Sequence, residues 1–272
     1  MPITSIKDLL QIVDNFNIKS NPHYKDIWFR GAADSTYRLT PGRFRKAFEE
    51  YALVRESKER EKHMNQDFRI LSAANLSGKM AEEDLYFLMQ HYGMPTRLLD
   101  WSTNALTALY FATDDASLKR TEQKDGRVWI MNPFRLSEKQ RPQNGFDVPH
   151  DFNGVATSRN PVYVSAIDNL MRWNNDSPIP NFIFPIRPGY IDHRISLQKS
   201  CFTFHGNDQN QGVLEEKHND TLCSYIISGH NKWKIQRELS LMGIDEFTIY
   251  GGLNALSKSI KLEYQQAFRN KP

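Results

Sequence analysis

Ile3, Ile6, Leu9, Leu10 and Val13 recur at helical spacing near the start of the chain, interrupted by Lys7, Asp8 and Asp14. That periodicity predicts a short amphipathic helix over residues 5–14. Polar Asn21 to Asp26 give way to Ile27-Trp28-Phe29, a short apolar run cut by Gly31, which reads as a buried strand. Pro41 opens a long helical stretch over 42–76, because the first residue of a helix needs no N–H. Within it, residues 43–69 hold eight Lys/Arg and six Asp/Glu, the pattern of a solvated, salt-laced helix face. A second helix covers 81–91. Glu82, Glu83 and Asp84 occupy its first turn, where the helix dipole favours anions, and Gly93 and Pro95 end it. Ser102 is the expected N-cap of a third helix, running to about Ala116.

The later pattern predicts strands at 127–131, 182–186, 201–205, 222–228 and 247–250, and helices at 161–173, 230–242 and 253–268. Strands and helices interleave, but the strands are short and lack the regular spacing of βαβ units. The expected class is therefore α+β, with a mixed or antiparallel central sheet and flanking helices. No repeat or low-complexity linker divides the chain. The expected organisation is a single domain over 1–272, with 42–76 as a helical insertion.

Composition narrows the class further. The 272 residues are 39% hydrophobic and 12% aromatic, which excludes a disordered chain and is enough for a core without a disulfide or metal staple. A net charge of 35 − 32 = +3 permits an anionic ligand or nucleic acid without requiring one. Cys201 and Cys223 form neither a metal spacing nor a disulfide framework, as in a reducing compartment. The first residues lack the uninterrupted apolar run of a signal peptide, and no run approaches ~18 apolar residues. The expected location is cytoplasmic, without a membrane partner.

Three stretches carry candidate chemistry. In Phe29-Arg30-Gly31, a guanidinium at the end of a buried strand can grip a phosphate bidentately or close an internal ion pair, and the glycine admits a close neighbour. Residues 90–104 crowd Gln90, His91, Tyr92, Thr96, Arg97, Asp100, Trp101 and Ser102 between two apolar helices. Such groups must satisfy one another or a ligand. An Arg97–Asp100 pair and a capping Ser102 form the purely structural alternative. Arg194 and Gln198 share a face if 191–198 is helical; otherwise they mark an ordinary turn–helix–strand joint. His63, His91, His193, His205, His218 and His230 are scattered, with no tight ligand spacing, so no metal site is expected and a metal-dependent nuclease is disfavoured. Lys258, Lys261, Arg269 and Lys271 form a modest basic stripe that suits either nucleic acid or a helix C-terminus.

Several strings together resemble the FRG-domain family, over about residues 25–260. They are Trp28-Phe29-Arg30-Gly31; Tyr37-Arg38-Leu39-Thr40-Pro41 with Phe44-Arg45; the run from His91 to Ser102; Ala105-Leu106 and Ala108 to Ala112; Gln198 with Phe202-Thr203; and Leu241 to Ile244 with Phe247 to Tyr250. The family tends to have Pro and Asp after the last strand, where this chain has Gly251-Gly252. More distantly, the order of elements resembles the ADP-ribosyltransferases. Those begin with an apolar strand ending in Arg-Gly whose Arg contacts NAD. A Ser/Thr-containing strand follows, and then a catalytic Glu that is sometimes Gln.

That second resemblance implies an ADP-ribosyltransferase-like fold and an NAD-dependent transferase acting on a protein or nucleic acid, with NAD as substrate. Arg30 falls in the first element, Ser102 and Thr103 in the second and Gln198 in the third. Arg30 and Arg97 are then expected to hold the pyrophosphate, and His91 a ribose hydroxyl. Tyr92, Trp101 or Tyr110 is expected to stack on nicotinamide, with Thr96 and Ser102 also in the binding set. Gln198 is expected to hold the ribose 2′-hydroxyl, and Asp100 to orient His91 or Arg97 or to activate the acceptor. A Gln is no base, so Asp100, His193 or His205 must take the acceptor's proton. The same resemblance implies a toxin or antiviral-defence effector, with an antitoxin or regulator as partner. The alternative function is a non-catalytic module that binds a nucleotide or anion through the same residues.

Overall fold

The computed structural model describes residues 2–19, 27–45, 54–76, 78–114, 124–140, 155–189, 191–207, 214 and 221–269. Among them, seven strands form one sheet: β1 (Trp28–Ala32), β2 (Leu98–Ser102), β3 (Gly126–Met131), β4 (Ala156–Thr157), β5 (Ile183–Arg187), β6 (Ser200–His205) and β7 (Leu222–Ile227). Their order is β4-β5-β6-β2-β1-β3-β7, and only β4–β5 is parallel. This is the α+β class with a mixed sheet that the irregular strand spacing predicts. The helices are α1 (Ile6–Lys19), α2 (Val54–Leu71), α3 (Glu82–His91), α4 (Ala105–Thr113), α5 (Pro133–Gln140), α6 (Pro161–Arg172), α7 (His193–Leu197), α8 (Gly229–Leu241), α9 (Glu246–Tyr250) and α10 (Gly252–Arg269).

Alternation along the strands sorts the core into layers. One sheet face carries Leu98, Phe184, Phe202 and Phe204 in one half and Phe29, Val128, Ile130 and Ile227 in the other. Two separate helix groups cover that face. α3 and α6 pack on the β5-β6-β2 half, and α1, α4 and α8 on the β1-β3-β7 half. The opposite face buries Trp28, Leu99, Trp101, Trp129 and Met131 under Phe134 and Leu136 of α5. Register follows the same division. β2 pairs with β6, and β1 with β3, over five residues each, whereas β1 and β2 meet only at Phe29 and Ser102. The sheet is thus tight within each half and loose at the seam where the helix groups part.

Gly31 shows what the glycine of the Phe-Arg-Gly string does here. A Cβ at this position would stand 1.8 Å from the Ala108 carbonyl oxygen and 2.7 Å from the Ala112 nitrogen. The close neighbour is the backbone of α4, not a ligand.

Three expectations are corrected. Leu98–Ser102 is a central strand, and the N-cap of α4 is Asn104, whose side chain accepts from the Leu106 N–H at 3.0 Å. α4 ends at Thr113; residues 115 and 116 lie outside the described set. The 42–76 stretch is not one helix. Gly42–Phe44 is a 3-10 turn, Arg45 is extended (φ −80, ψ 145), α2 spans only Val54–Leu71, and Ala73–Asn75 is a further 3-10 turn. Residues 46–53 lie outside the described set.

Residues 247–250 form α9 rather than a strand. A capping box between Asp245 and Thr248 closes its first turn, and this local bonding outweighs the β propensity of Phe-Thr-Ile-Tyr. Gly251 (φ 64) and Gly252 (φ 73) then join α9 to α10 through two left-handed residues. Proline fixes φ near −65°, so the Pro usual in the resembled family has no place at 251 in this backbone.

Candidate functional site

The seam between β1 and β2 gathers five of the sequence-derived residues, Arg30, His91, Asp100, Ser102 and Gln198. Thr103 donates to the Lys199 carbonyl and His205 to the Arg97 carbonyl. These bonds commit the odd-numbered residues of β2 to β6, so the Asp100 carbonyl faces β1. There it accepts from Arg30 Nη1 at 2.6 Å, and the same nitrogen lies 3.4 Å from Asp100 Oδ2. A side chain therefore fills a place in the ladder that a backbone amide leaves open.

Gln90, in the last turn of α3, donates to both Asp100 carboxylate oxygens, at 3.0 and 2.9 Å. The Gln90 amide is itself set by the hydroxyl of fully buried Thr96, which donates to Gln90 Oε1. The Asp100 side chain stays 50% exposed, against 17% for Arg30. The seam presents a carboxylate fixed by two donors and open to solvent on one side.

His91 follows Gln90 at the end of α3, with its side chain 6% exposed. Its Nε2 lies 3.5 Å from Asp192 Oδ1 and makes no hydrogen bond. Burial, and then the Arg194 charge, lower its pKa; Asp192 and Asp100 oppose this, and the net shift is downward. The ring is neutral at pH 7. Asp192 caps α7 by accepting from the Arg194 backbone N–H at 2.8 Å. The Arg194 guanidinium lies 5.0 Å over the Tyr250 ring, and Tyr250 packs edge-on against Phe111 and Tyr110. Tyr110 donates to Glu246 Oε2 at 2.9 Å. Burial, with Asp114 and Glu246 nearby, holds both hydroxyls protonated, Tyr250 being pushed up to about 12.

Ser102 and Gln198 meet directly: the Ser102 hydroxyl donates to the Gln198 carbonyl at 2.6 Å. Gln198 ends α7, and its side-chain amide donates to the Ile249 carbonyl of α9 at 3.2 Å. Lys199, at φ 47, turns the chain sharply into β6. Arg30, His91, Asp100, Ser102 and Gln198 are thus drawn to one seam, with Tyr110 on the α4–α9 side.

Other predicted residues lie elsewhere. Arg97 is sealed in the interior, where its Nε and Nη2 grip Glu61 at 2.7 and 2.8 Å. Its Nη1 donates to Asn207 Oδ1 at 2.8 Å, and Arg43 Nε joins Glu61 from the other side at 2.9 Å. Burial alone would raise the Glu61 carboxyl, but Arg97 and Arg43 outweigh it and the net shift is downward. No Arg97–Asp100 pair forms, and bonds to Glu61, Asn207 and the Gly206 carbonyl occupy four of the five Arg97 N–H groups, so no pair of donors is left to grip a pyrophosphate bidentately. Glu61 and Arg97 form part of the wall of a cavity of about 750 Å³, with Lys62, Trp173, Asn175 and Asn207. It lies at the opposite end of β2 from Ser102.

Trp101 alternates onto the far sheet face, where it donates to Thr203 at 3.2 Å, so it cannot stack on a ligand at the seam. His205 is buried, with Nε2 3.0 Å from the Thr203 hydroxyl, and is unsuited to accept a proton from an incoming acceptor. Tyr92 is exposed and meets His91 edge-on at 5.5 Å. His193 lies against Gly251. Sequence reasoning gave no role to Gln90, Asp192, Glu246 or Tyr250. Gln90 left a signal as the residue that opens the polar string, and Tyr250 as the end of the closing string of the resemblance; Asp192 and Glu246 left none.

Among the described residues, no three His, Cys, Asp or Glu side chains gather as a metal site needs, and no helix is long and apolar enough to cross a membrane. The family model of the FRG domain matches residues 25–121. That segment holds Arg30, Gln90, His91, Asp100 and Ser102, and the match supports the FRG-domain reading there; Arg194 and Gln198 lie beyond it. No curated protein and no solved structure matches the chain.

Proposed function

We propose that the chain is an NAD-dependent, ADP-ribosyltransferase-like enzyme that modifies a macromolecule at the β1–β2 seam, in the manner of a toxin or antiviral-defence effector. The observation that carries this reading is a juxtaposition. Arg30, Ser102 and Gln198 belong to three neighbouring strands or their mouths, β1, β2 and β6, and Ser102 and Gln198 touch at 2.6 Å. The resemblance orders an Arg-bearing strand, a Ser/Thr strand and a Glu or Gln in the same sequence. That Leu98–Ser102 is a strand supports reading Ser102 as part of the middle element.

The chemistry fits the groups. Cleavage of the bond between nicotinamide and ribose leaves its electron pair on the nicotinamide and positive charge on the ribose. A fixed, half-exposed carboxylate stabilises such charge, and donors already in place need no reorganisation. Asp100 supplies the carboxylate, and Arg30 and Gln90 hold it still. The acceptor's lone pair forms the new bond to ribose, and its proton passes to Asp100. Gln198, which is no base, positions the ribose hydroxyl through its amide oxygen.

A second reading is favoured by one observation: the Gln198 amide nitrogen is already committed to Ile249, as in a rigid binding module without turnover. The test is incubation with NAD labelled on its adenylate, together with cell lysate. Free nicotinamide and a labelled macromolecule, both lost in Gln198→Ala at an unchanged unfolding midpoint, support the transferase. Saturable NAD binding without nicotinamide supports the module. Absence of both removes the seam as a nucleotide site.

A further inference from the structure

We propose that Arg194, backed by Tyr250 and flanked by His91, is the phosphate-binding cation of the seam, a subsite for the phosphates of a nucleotide. This rests on the reading of the seam as a nucleotide site, but on different residues. The arginines around β2 differ in what they hold. Arg30 is engaged by Asp100, and Arg97 and Arg43 by Glu61. Among the described residues, no acceptor takes a hydrogen bond from the Arg194 guanidinium, and its Nε is buried without a partner. A buried donor left unmade is unfavourable, and such groups in folded proteins mark a missing partner.

Its direction is nonetheless fixed. The guanidinium stacks on Tyr250 at 5.0 Å, and that ring is braced by Phe111 at 6.0 Å. Asp192 accepts from the Arg194 backbone N–H rather than from the guanidinium, which makes no ion pair among the described residues. A second orphan lies alongside. His91 Nε2 is buried without a hydrogen bond, 3.5 Å from Asp192 Oδ1, and the neutral ring with its proton on Nε2 has a donor that this long contact leaves unsatisfied. A planar guanidinium beside an imidazole N–H suits a tetrahedral anion with several acceptor oxygens. Arg194 and Gln198 stand one helical turn apart on α7 and its cap, so a phosphate on Arg194 brings the adjoining ribose towards Gln198.

The test uses ADP, which has the phosphates but no nicotinamide to release. Titration calorimetry of the full chain should show saturable ADP binding, competed by inorganic phosphate. Arg194→Gln should weaken ADP binding about tenfold or more, with an unchanged unfolding midpoint, and Arg194→Lys should restore only part of it, because an ammonium makes no paired bonds. Failure of the wild-type chain to bind ADP, or equal affinity in wild type and Arg194→Gln, overturns the proposal. The two readings separate cleanly. Arg194-dependent ADP binding without nicotinamide release keeps the subsite and removes the transferase. Nicotinamide release with KM for NAD unchanged in Arg194→Gln does the reverse.

Discussion

Two carboxylate–arginine clusters flank β2, and the arginine of one stands three residues from the carboxylate of the other. In the first, Glu61 is gripped by Arg97 and Arg43, and these side chains are 1%, 3% and 5% exposed. In the second, Asp100 is gripped by Arg30 and Gln90 yet remains half exposed. The residue types are nearly the same, and one short string, Pro95 to Ser102, contributes to both. Burial makes the difference. A buried pair whose groups are bonded almost entirely to one another serves to specify the fold. A carboxylate fixed on one side and wet on the other can still meet a reactant.

The largest effect expected is at the sealed cluster. Glu61→Ala takes from the buried Arg97 guanidinium the carboxylate that accepts two of its bonds and should cost about 3–5 kcal/mol of stability, read from urea unfolding. A loss below about 1 kcal/mol would place this cluster with ordinary surface pairs and dissolve the contrast. Next, Gly31→Ala presses a Cβ into the α4 backbone and should cost about 1–3 kcal/mol, seen as a lower melting temperature. Arg30→Ala should cost about 1–3 kcal/mol, because the Asp100 carbonyl loses its donor. Asp100→Asn keeps that carbonyl and should change stability by less than about 1 kcal/mol, which makes it the cleaner probe of chemistry.

Acid sharpens the contrast by smaller steps. The Glu61 carboxyl titrates below its ordinary 4.5 in the fold, so its stabilisation is whole above that pH and is lost as pH falls. His91 titrates below its ordinary 6.5, so the unfolded chain takes up that proton first and stability declines as pH drops from 6.5. His91→Gln should flatten that shallow decline and leave the steeper Glu61 phase intact, as measured by unfolding midpoints between pH 7 and 4.

Much of this architecture could be read from periodicity. The α3, α6, α8 and α10 helices and strands β3, β5, β6 and β7 stand close to where apolar spacing puts them. β2 was hidden because a central strand with aspartate at its midpoint reads as a polar turn; only the Arg30 and Gln90 donors, remote in sequence, make Asp100 tolerable there. α9 was hidden because a capping box of two residues overrode an apolar, β-branched run. For the site, residue types pointed to Arg30, Asp100, Ser102 and Gln198, which the seam does unite. They could not separate Arg97 from Asp100, because burial is a tertiary property. Nor could they show that Arg194 stands without an acceptor.

The most direct measurement of the central contrast is nicotinamide release from NAD by Asp100→Asn, made beside its unfolding midpoint. The account predicts a folded protein, within about 1 kcal/mol of wild type, whose release falls by about a hundredfold or more. Release at the wild-type rate from that folded variant would contradict it.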